Sequence, residues 1–349
     1  MGSNTEDKPH LPWVKTPCIE SRTLSNIAGC QIFLKLENIQ PSGSFKSRGL
    51  GYLMMREIEK HGSSKPIHFY CSSGGNAGLA CAIAAISLKK NATIVVPLTT
   101  KAFVIQKLKR LGADVHQHGA AWVEADKYLR EELLANDENG VYVPPFDHPD
   151  VWHGASKLVG ELDEQIGDYD GIVCSIGGGG LFNGIMEGLS KREVFSEKPV
   201  RVLAMETYGA DSLNSSLRQR RHVTLPSITS IATSLGCSRV SNRTWELAHR
   251  EQVSSLAVAD AEAAIACVRL ADDERILVEA ACGVNVAPVY NGMLRSQLGK
   301  GMLDDEWAKQ KIIIIICGGS NVTLKMLEGY REKYMQSVEK RSPIQSSVL

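Results

Sequence analysis

The chain has no excess of charge: 39 basic residues balance 39 acidic ones. That balance gives no overall electrostatic footprint for nucleic acid or for an anionic membrane surface. The short runs Lys107-Leu108-Lys109-Arg110 and Arg218-Gln219-Arg220-Arg221 read as solvated faces. Nowhere do about 18 uninterrupted apolar residues occur, and Met1 to Asp7 is polar, without the apolar core of a signal peptide. A cytoplasmic protein that neither crosses nor enters a membrane is expected. The nine cysteines are scattered, odd in number and form no Cys-x-x-Cys pair, which fits a reduced compartment better than a disulfide framework. His116 and His118 have no partners at ligand spacing and read as structural.

Two phosphate motifs are missing as well. No G-x-x-x-x-G-K-[ST] occurs, and G-x-G-x-x-G fails at Gly177-Gly178-Gly179, because Phe182 or Asn183 stands where the last glycine belongs. Nucleoside triphosphates and nicotinamide dinucleotides therefore lose ground as ligands.

What is present is an alternation of short apolar runs with helical periodicities. Gln31 to Leu36, Ile67 to Cys71, Ala92 to Pro97, Ala113 to His116, Gly171 to Ile176, Arg201 to Glu206, Ser255 to Val258 and the isoleucines Ile312 to Ile316 read as strands. Between them, Leu50, Leu53, Met54 and Ile58 recur at helical spacing, and Leu79 to Leu88 is apolar on nearly every side. Strand and helix in turn predict an α/β protein with mostly parallel, twisted sheets flanked by helices. Val143 to Pro149 holds three prolines in seven residues, which marks a domain junction. Two domains are expected: a small one over 45–147, and a discontinuous large one over 1–44 and 148–330. A polar tail is expected over 331–349, with about its last fifteen residues frayed.

Three strands end in glycine-rich turns, at Ser72 to Gly78, Gly177 to Gly180 and Cys317 to Asn321. In open α/β sheets ligands sit beyond the carboxyl ends of strands. Four successive glycines before a helix expose N–H groups at the positive end of its dipole, which suits a phosphate. A close-packed turn would also use glycine, though one or two would suffice. A single lysine lies in Pro41-Ser42-Gly43-Ser44-Phe45-Lys46-Ser47-Arg48-Gly49. Alone, that stretch also fits a serine-capped helix start with a solvated ammonium. Sharing a site with a phosphate group, the lysine becomes a candidate nucleophile.

Together these stretches resemble the pyridoxal-phosphate enzymes of fold type II (tryptophan synthase β-like), and within them the serine/threonine dehydratases, from about residue 15 to 330. The resemblance implies that Lys46 holds the cofactor as a Schiff base and later removes the substrate α-proton, with Phe45 against the cofactor ring. It implies that Ser73, Gly74, Asn76 and Ala77 hold the substrate carboxylate, with Asn76 also reaching the cofactor, and that Phe146 lies near the substrate. Gly177, Gly178, Gly179, Gly180 and Leu181 would hold the phosphate, and Cys317 would meet the pyridine nitrogen. Glu206, Ala210, Ser212, Leu235 and Cys237 match positions around a monovalent cation, for which potassium suits an oxygen-lined site.

The implied reaction is β-elimination of L-serine or L-threonine, by a homodimer. A serine racemase-type enzyme, a cysteine synthase-type enzyme and a regulatory protein that binds the cofactor with little catalysis remain as alternatives. Gly74, where relatives carry Ala or Gly, predicts a roomier pocket with a weaker hold on substrate. Asn183 stands where a small apolar residue is usual, and the sequence assigns it no role. Glu279 fits either a supporting group near the site or a helix-end carboxylate.

Overall fold

The computed structural model describes residues 11–62, 65–192 and 199–339. The polar N-terminal lead up to residue 10, Ser63 and Ser64 at the expected helix end, and the tail from residue 340 lie outside the described residues. The strands are β1 (Cys18–Glu20), β2 (Gln31–Lys35), β3 (His68–Cys71), β4 (Asn91–Val96), β5 (Asp114–Gln117), β6 (Gly140–Tyr142), β7 (Gly171–Ser175), β8 (Arg201–Thr207), β9 (Val253–Val258) and β10 (Lys311–Ile315). They form a sheet in the order β1-β2-β10-β7-β8-β9 and another in the order β5-β4-β3-β6. Every pairing is parallel except β1 with β2 at an edge, as the alternation predicts. The short strands β1 and β6 escape sequence detection, because three residues are too few to show a period.

Two compact units divide the chain: Met1–Lys15 with Gln40–Ala155, and Thr16–Ile39 with Ser156–Leu349. Residues 11–15 and 40–44 thus fall with the smaller unit, where the sequence reading puts them in the larger domain. The reason is local: the Gln40 side-chain amide bonds both Val14 N (3.0 Å) and Val14 O (2.9 Å). The change of unit comes inside the helix Pro149–Ile166, past the proline-rich segment.

In the first unit, Leu50, Leu53 and Met54 of the helix Lys46–His61 join Phe69, Ile94, Val96 and the alanine-rich helix Asn76–Ser87 in one buried core. The helix Lys46–His61 lies very close to the start of the helix Pro149–Ile166: a β-carbon on Gly49 would stand 2.7 Å from Val151 O, and one on Gly154 would stand 2.5 Å from Arg48 O. The glycine that closes the lysine motif is therefore required by packing.

In the second unit, Ile312, Ile313 and Ile314 lie between β2 and β7, and burial on both faces explains a run without alternation. Lys35 ends β2 fully buried, where an alternating strand would turn it to solvent. Its ammonium bonds Glu161 (2.6 Å), Thr16 O (2.6 Å) and Gln165 (3.1 Å), so the charge is paired as burial demands. The expected frayed tail is helical as far as residue 339: Leu324–Glu339 turns the buried Leu327 and Val338 inward, and Arg331 pairs with Asp272 at 2.7 Å.

Candidate active site

In the first unit, Lys46 is the first residue of its helix and Phe45 its N-cap, with no side-chain cap. The preceding turn is held instead by Ser47, whose Oγ accepts from Ser42 N (3.1 Å) and donates to Ser42 Oγ (2.8 Å). Lys46 Nζ donates to Pro145 O and lies 5.2 Å from the centre of the Phe45 ring. Phe146 follows, its carbonyl accepting from Trp152 Nε1 at 2.9 Å. Since β6 pairs in parallel with β3, the Pro145-Phe146 segment and the Ser72 to Ala77 loop leave the same end of the sheet. Lys46, Phe45 and Phe146 are thus gathered at that end with Ser73, Gly74, Asn76 and Ala77. Asn76 and Ala77 open the helix Asn76–Ser87 behind Gly75, and N–H groups of a first helical turn have no helical acceptors.

Sequence reasoning misses what stands behind this loop. Ser72 Oγ and Tyr142 OH both donate to Asp126 Oδ1, the latter at 2.7 Å, while Arg130 Nε donates to Asp126 Oδ2 at 2.9 Å. Trp122 Nε1 donates to Ser72 O. Burial, with Asp126 adding to it, pushes the Tyr142 hydroxyl well above its usual range, so it remains a donor. The spacing Trp122, Asp126, Arg130, one helical turn each, is the signal that was available.

In the second unit, β7 and β10 are neighbours and parallel, so the four-glycine turn and Cys317 emerge side by side. Gly180 opens the helix Gly180–Arg192, and Leu181 is buried. Gly179 has φ +98°, and a β-carbon there would stand 1.7 Å from Thr244 Oγ1; only glycine fits both the conformation and the space. Gly178 O accepts from Ser241 N at 3.1 Å. Gly177 lies against the Leu235 backbone, its β-carbon position 3.3 Å from Leu235 Cα.

Buried Cys317 has Ser175 Oγ at 3.5 Å, Ala281 O at 3.8 Å and Asn285 Nδ2 at 3.9 Å. Its thiol neighbour Cys282 is pushed up by burial and then by Cys317 itself, and burial also raises Cys174 and Cys267. Those three are therefore unreactive thiols. Glu279 sits at the N-cap of the next helix without a side-chain cap bond. Its main chain starts the helix Ala280–Tyr290, while its carboxylate accepts from Asn321 N at 3.3 Å and packs on Gly319 beside Cys317. A phosphate-bearing heteroaromatic fits these groups: a narrow all-glycine cradle at a helix start, and a thiol at the next strand end.

Glu206 lies near the end of β8, Ala210 follows in the turn, and Ser212 opens the helix Ser212–Gln219. The Glu206 carboxylate is completely buried and accepts from Leu213 N (2.9 Å) and Asn214 N (2.7 Å). Burial pushes its pKa up to about 8 against the opposing pull of those two N–H groups. Ser212 Oγ is buried without a hydrogen-bond partner. Leu235 and Cys237 lie in a separate turn, where Cys237 N donates to Leu235 O at 2.6 Å. A buried acid and an unused hydroxyl suit a hard cation. The histidines are engaged elsewhere, His116 with Asp114 (2.7 Å) and His118 stacked on Tyr128 (4.1 Å). No helix among the described residues is long and apolar enough to cross a membrane.

The family model for pyridoxal-phosphate dependent enzymes matches residues 11–318. A human protein named serine dehydratase-like is 43% identical over 319 residues, which is 91% of this chain and 94% of that protein. Bovine L-serine dehydratase/L-threonine deaminase is 41% identical over 321 residues, 92% of this chain and 95% of that one. Among solved structures, an L-serine ammonia-lyase from the fungus Rhizomucor miehei matches with a TM-score of 0.84 at 35% identity, covering 93% of this chain and 99% of that one. The chain belongs to the pyridoxal-phosphate-dependent enzymes and has the α/β fold of their type II members.

Proposed function

We propose that this protein is an ammonia-lyase that converts L-serine to pyruvate and ammonia, and L-threonine to 2-oxobutanoate and ammonia. Each unit contributes one observation that supports the proposal: in the first, a lysine beside the Ser72 to Ala77 loop; in the second, a thiol, not a carboxylate, next to the glycine cradle. The names of the similar human, bovine and fungal proteins support it.

Gly177, Gly178, Gly179, Gly180 and Leu181 would hold the phosphate through N–H groups and the helix start. Cys317 would meet the pyridine nitrogen, Phe45 the ring face and Lys46 the aldehyde carbon, with Asn76 also in reach. When bound, pyridoxal phosphate supplies an electron sink for the electrons of the substrate Cα–H bond. Ser73, Gly74, Asn76 and Ala77 receive the substrate carboxylate, and the helix start below them favours its negative charge. Phe146 lines the side chain. Displaced by the substrate amine, Lys46 Nζ would take the α-proton, the β-hydroxyl would leave as water with that proton, and the released enamine would take up water to give the 2-oxo acid and ammonia.

Glu206, Ala210, Ser212, Leu235 and Cys237 would bind potassium and brace the cradle through the contact of Leu235 with Gly177. Nine free cysteines favour a reducing, cytoplasmic location, and a homodimer is the assembly proposed. The test is product analysis of the purified protein with L-serine, D-serine and L-threonine, with and without potassium, beside Lys46→Ala. Formation of 2-oxo acid and ammonia from the L-substrates, absent in Lys46→Ala, is expected. Accumulation of D-serine without 2-oxo acid would instead favour a racemase.

A further inference from the structure

Asn183 is bonded to both residues that contact the glycine turn. It is buried, three residues into the helix that the cradle opens, and it uses both ends of its amide. Nδ2 donates to Ser241 Oγ at 3.1 Å, and Oδ1 accepts from Thr244 Oγ1 at 2.9 Å. The same two residues touch the cradle: Ser241 N donates to Gly178 O at 3.1 Å, and Thr244 Oγ1 fills the space beside the Gly179 α-carbon. Asn183 N itself donates to Gly179 O at 2.8 Å. Ser241 Oγ lies 2.9 Å from Thr244 Oγ1 and also accepts from Thr244 N at 3.1 Å, so the three side chains form one closed network.

Its effect follows from peptide geometry. In a trans peptide the C=O and the following N–H point in opposite directions. Tying Gly178 O toward Ser241 turns the Gly179 N–H the other way, away from the helix Asn242–Leu247. We infer that Asn183, Ser241 and Thr244 are positioning residues that pre-orient this N–H for a phosphate, and that they set affinity for the phosphate group of the cofactor. The inference rests on the cradle being the phosphate site.

The apoprotein should be titrated with pyridoxal phosphate and with pyridoxal, which lacks the phosphate. Asn183→Ala is expected to weaken pyridoxal phosphate about tenfold and pyridoxal less than twofold, with kcat at saturating cofactor little changed. Thr244→Val should reproduce the loss, Thr244→Ser should restore it, and the double variant Asn183→Ala/Thr244→Val should lose less than the sum. Equal weakening of both ligands, or a lower apoprotein Tm with both affinities unchanged, would overturn the inference by making the network merely structural. If the unaltered protein binds pyridoxal as tightly as pyridoxal phosphate, the phosphate assignment of the cradle itself fails.

Discussion

Thr100 fills the space beside Gly74: a β-carbon built on Gly74 would stand 2.9 Å from both Cγ2 and Oγ1 of Thr100. The roomier pocket that the sequence predicts at Gly74 is therefore occupied from the loop after β4. Gly74→Ala alone must push Thr100 aside, and overpacking of this kind costs about 1–3 kcal/mol in a closed core. In this partly open loop the lower end applies, so a few-fold rise in KM for serine is expected. Gly74→Ala/Thr100→Ala, which removes both clashing atoms, should recover most of it. A KM unchanged in Gly74→Ala would mean that Thr100 swings away freely and does not shape the site.

The surroundings of Cys317 bear on reaction choice. Its thiol meets three neutral groups: a hydroxyl, a carbonyl and an amide. A thiol is a weak, uncharged donor that does little to keep a pyridine nitrogen protonated, whereas a carboxylate would. Cys317→Asp should strengthen the electron sink and let the cofactor leak into transamination, seen as pyridoxamine phosphate formed per turnover. Cys317→Ser should not. A Cys317→Asp enzyme that holds cofactor but forms no more pyridoxamine phosphate than the parent would break the link between thiol and elimination.

The parallel sheets, the three glycine turns and the lysine motif were legible because each writes its signal locally. A doubly buried strand such as Ile312 to Ile316 is apolar throughout, and a strand-to-helix turn needs glycine within a few residues. The hidden parts are pairs far apart in sequence. Asn183 meets Ser241 and Thr244 about 60 residues on, and Ser72 meets Asp126 across 54 residues. Gln40 binds Val14, and residues 11–15 and 40–44 fall with the smaller unit. In each case polar residues that look solvent-facing in sequence are buried against partners that only the fold supplies.

The cation assignment is testable through stability. Glu206 is completely buried and Ser212 Oγ has no hydrogen-bond partner, so a bound potassium ion would supply the missing positive charge and use the spare oxygen. Raising potassium at constant ionic strength should increase Tm by several degrees, following RT ln(1 + [L]/Kd), while tetramethylammonium should not. Glu206→Gln should abolish the difference between the two salts. An equal Tm in both salts for the unaltered protein would remove the cation from this turn.

Asp126 offers the sharpest separation of loop support from chemistry. It accepts from Ser72, Tyr142 and Arg130 yet makes no contact with the proposed reacting groups. Asp126→Ala strands the buried Ser72 hydroxyl and leaves Tyr142 OH without its acceptor, at a cost of about 1–3 kcal/mol for each unsatisfied group. Because Ser72 is where the loop leaves β3, its displacement should reach Ser73 and Gly74 and raise KM about tenfold, with kcat falling less. Tyr142→Phe removes one donor and leaves the other two bonds in place, so a loss near 1 kcal/mol and an almost unchanged KM are expected. Denaturant unfolding alongside steady-state kinetics would decide it: a fall in stability with no change in KM would confine Asp126 to holding the small sheet together.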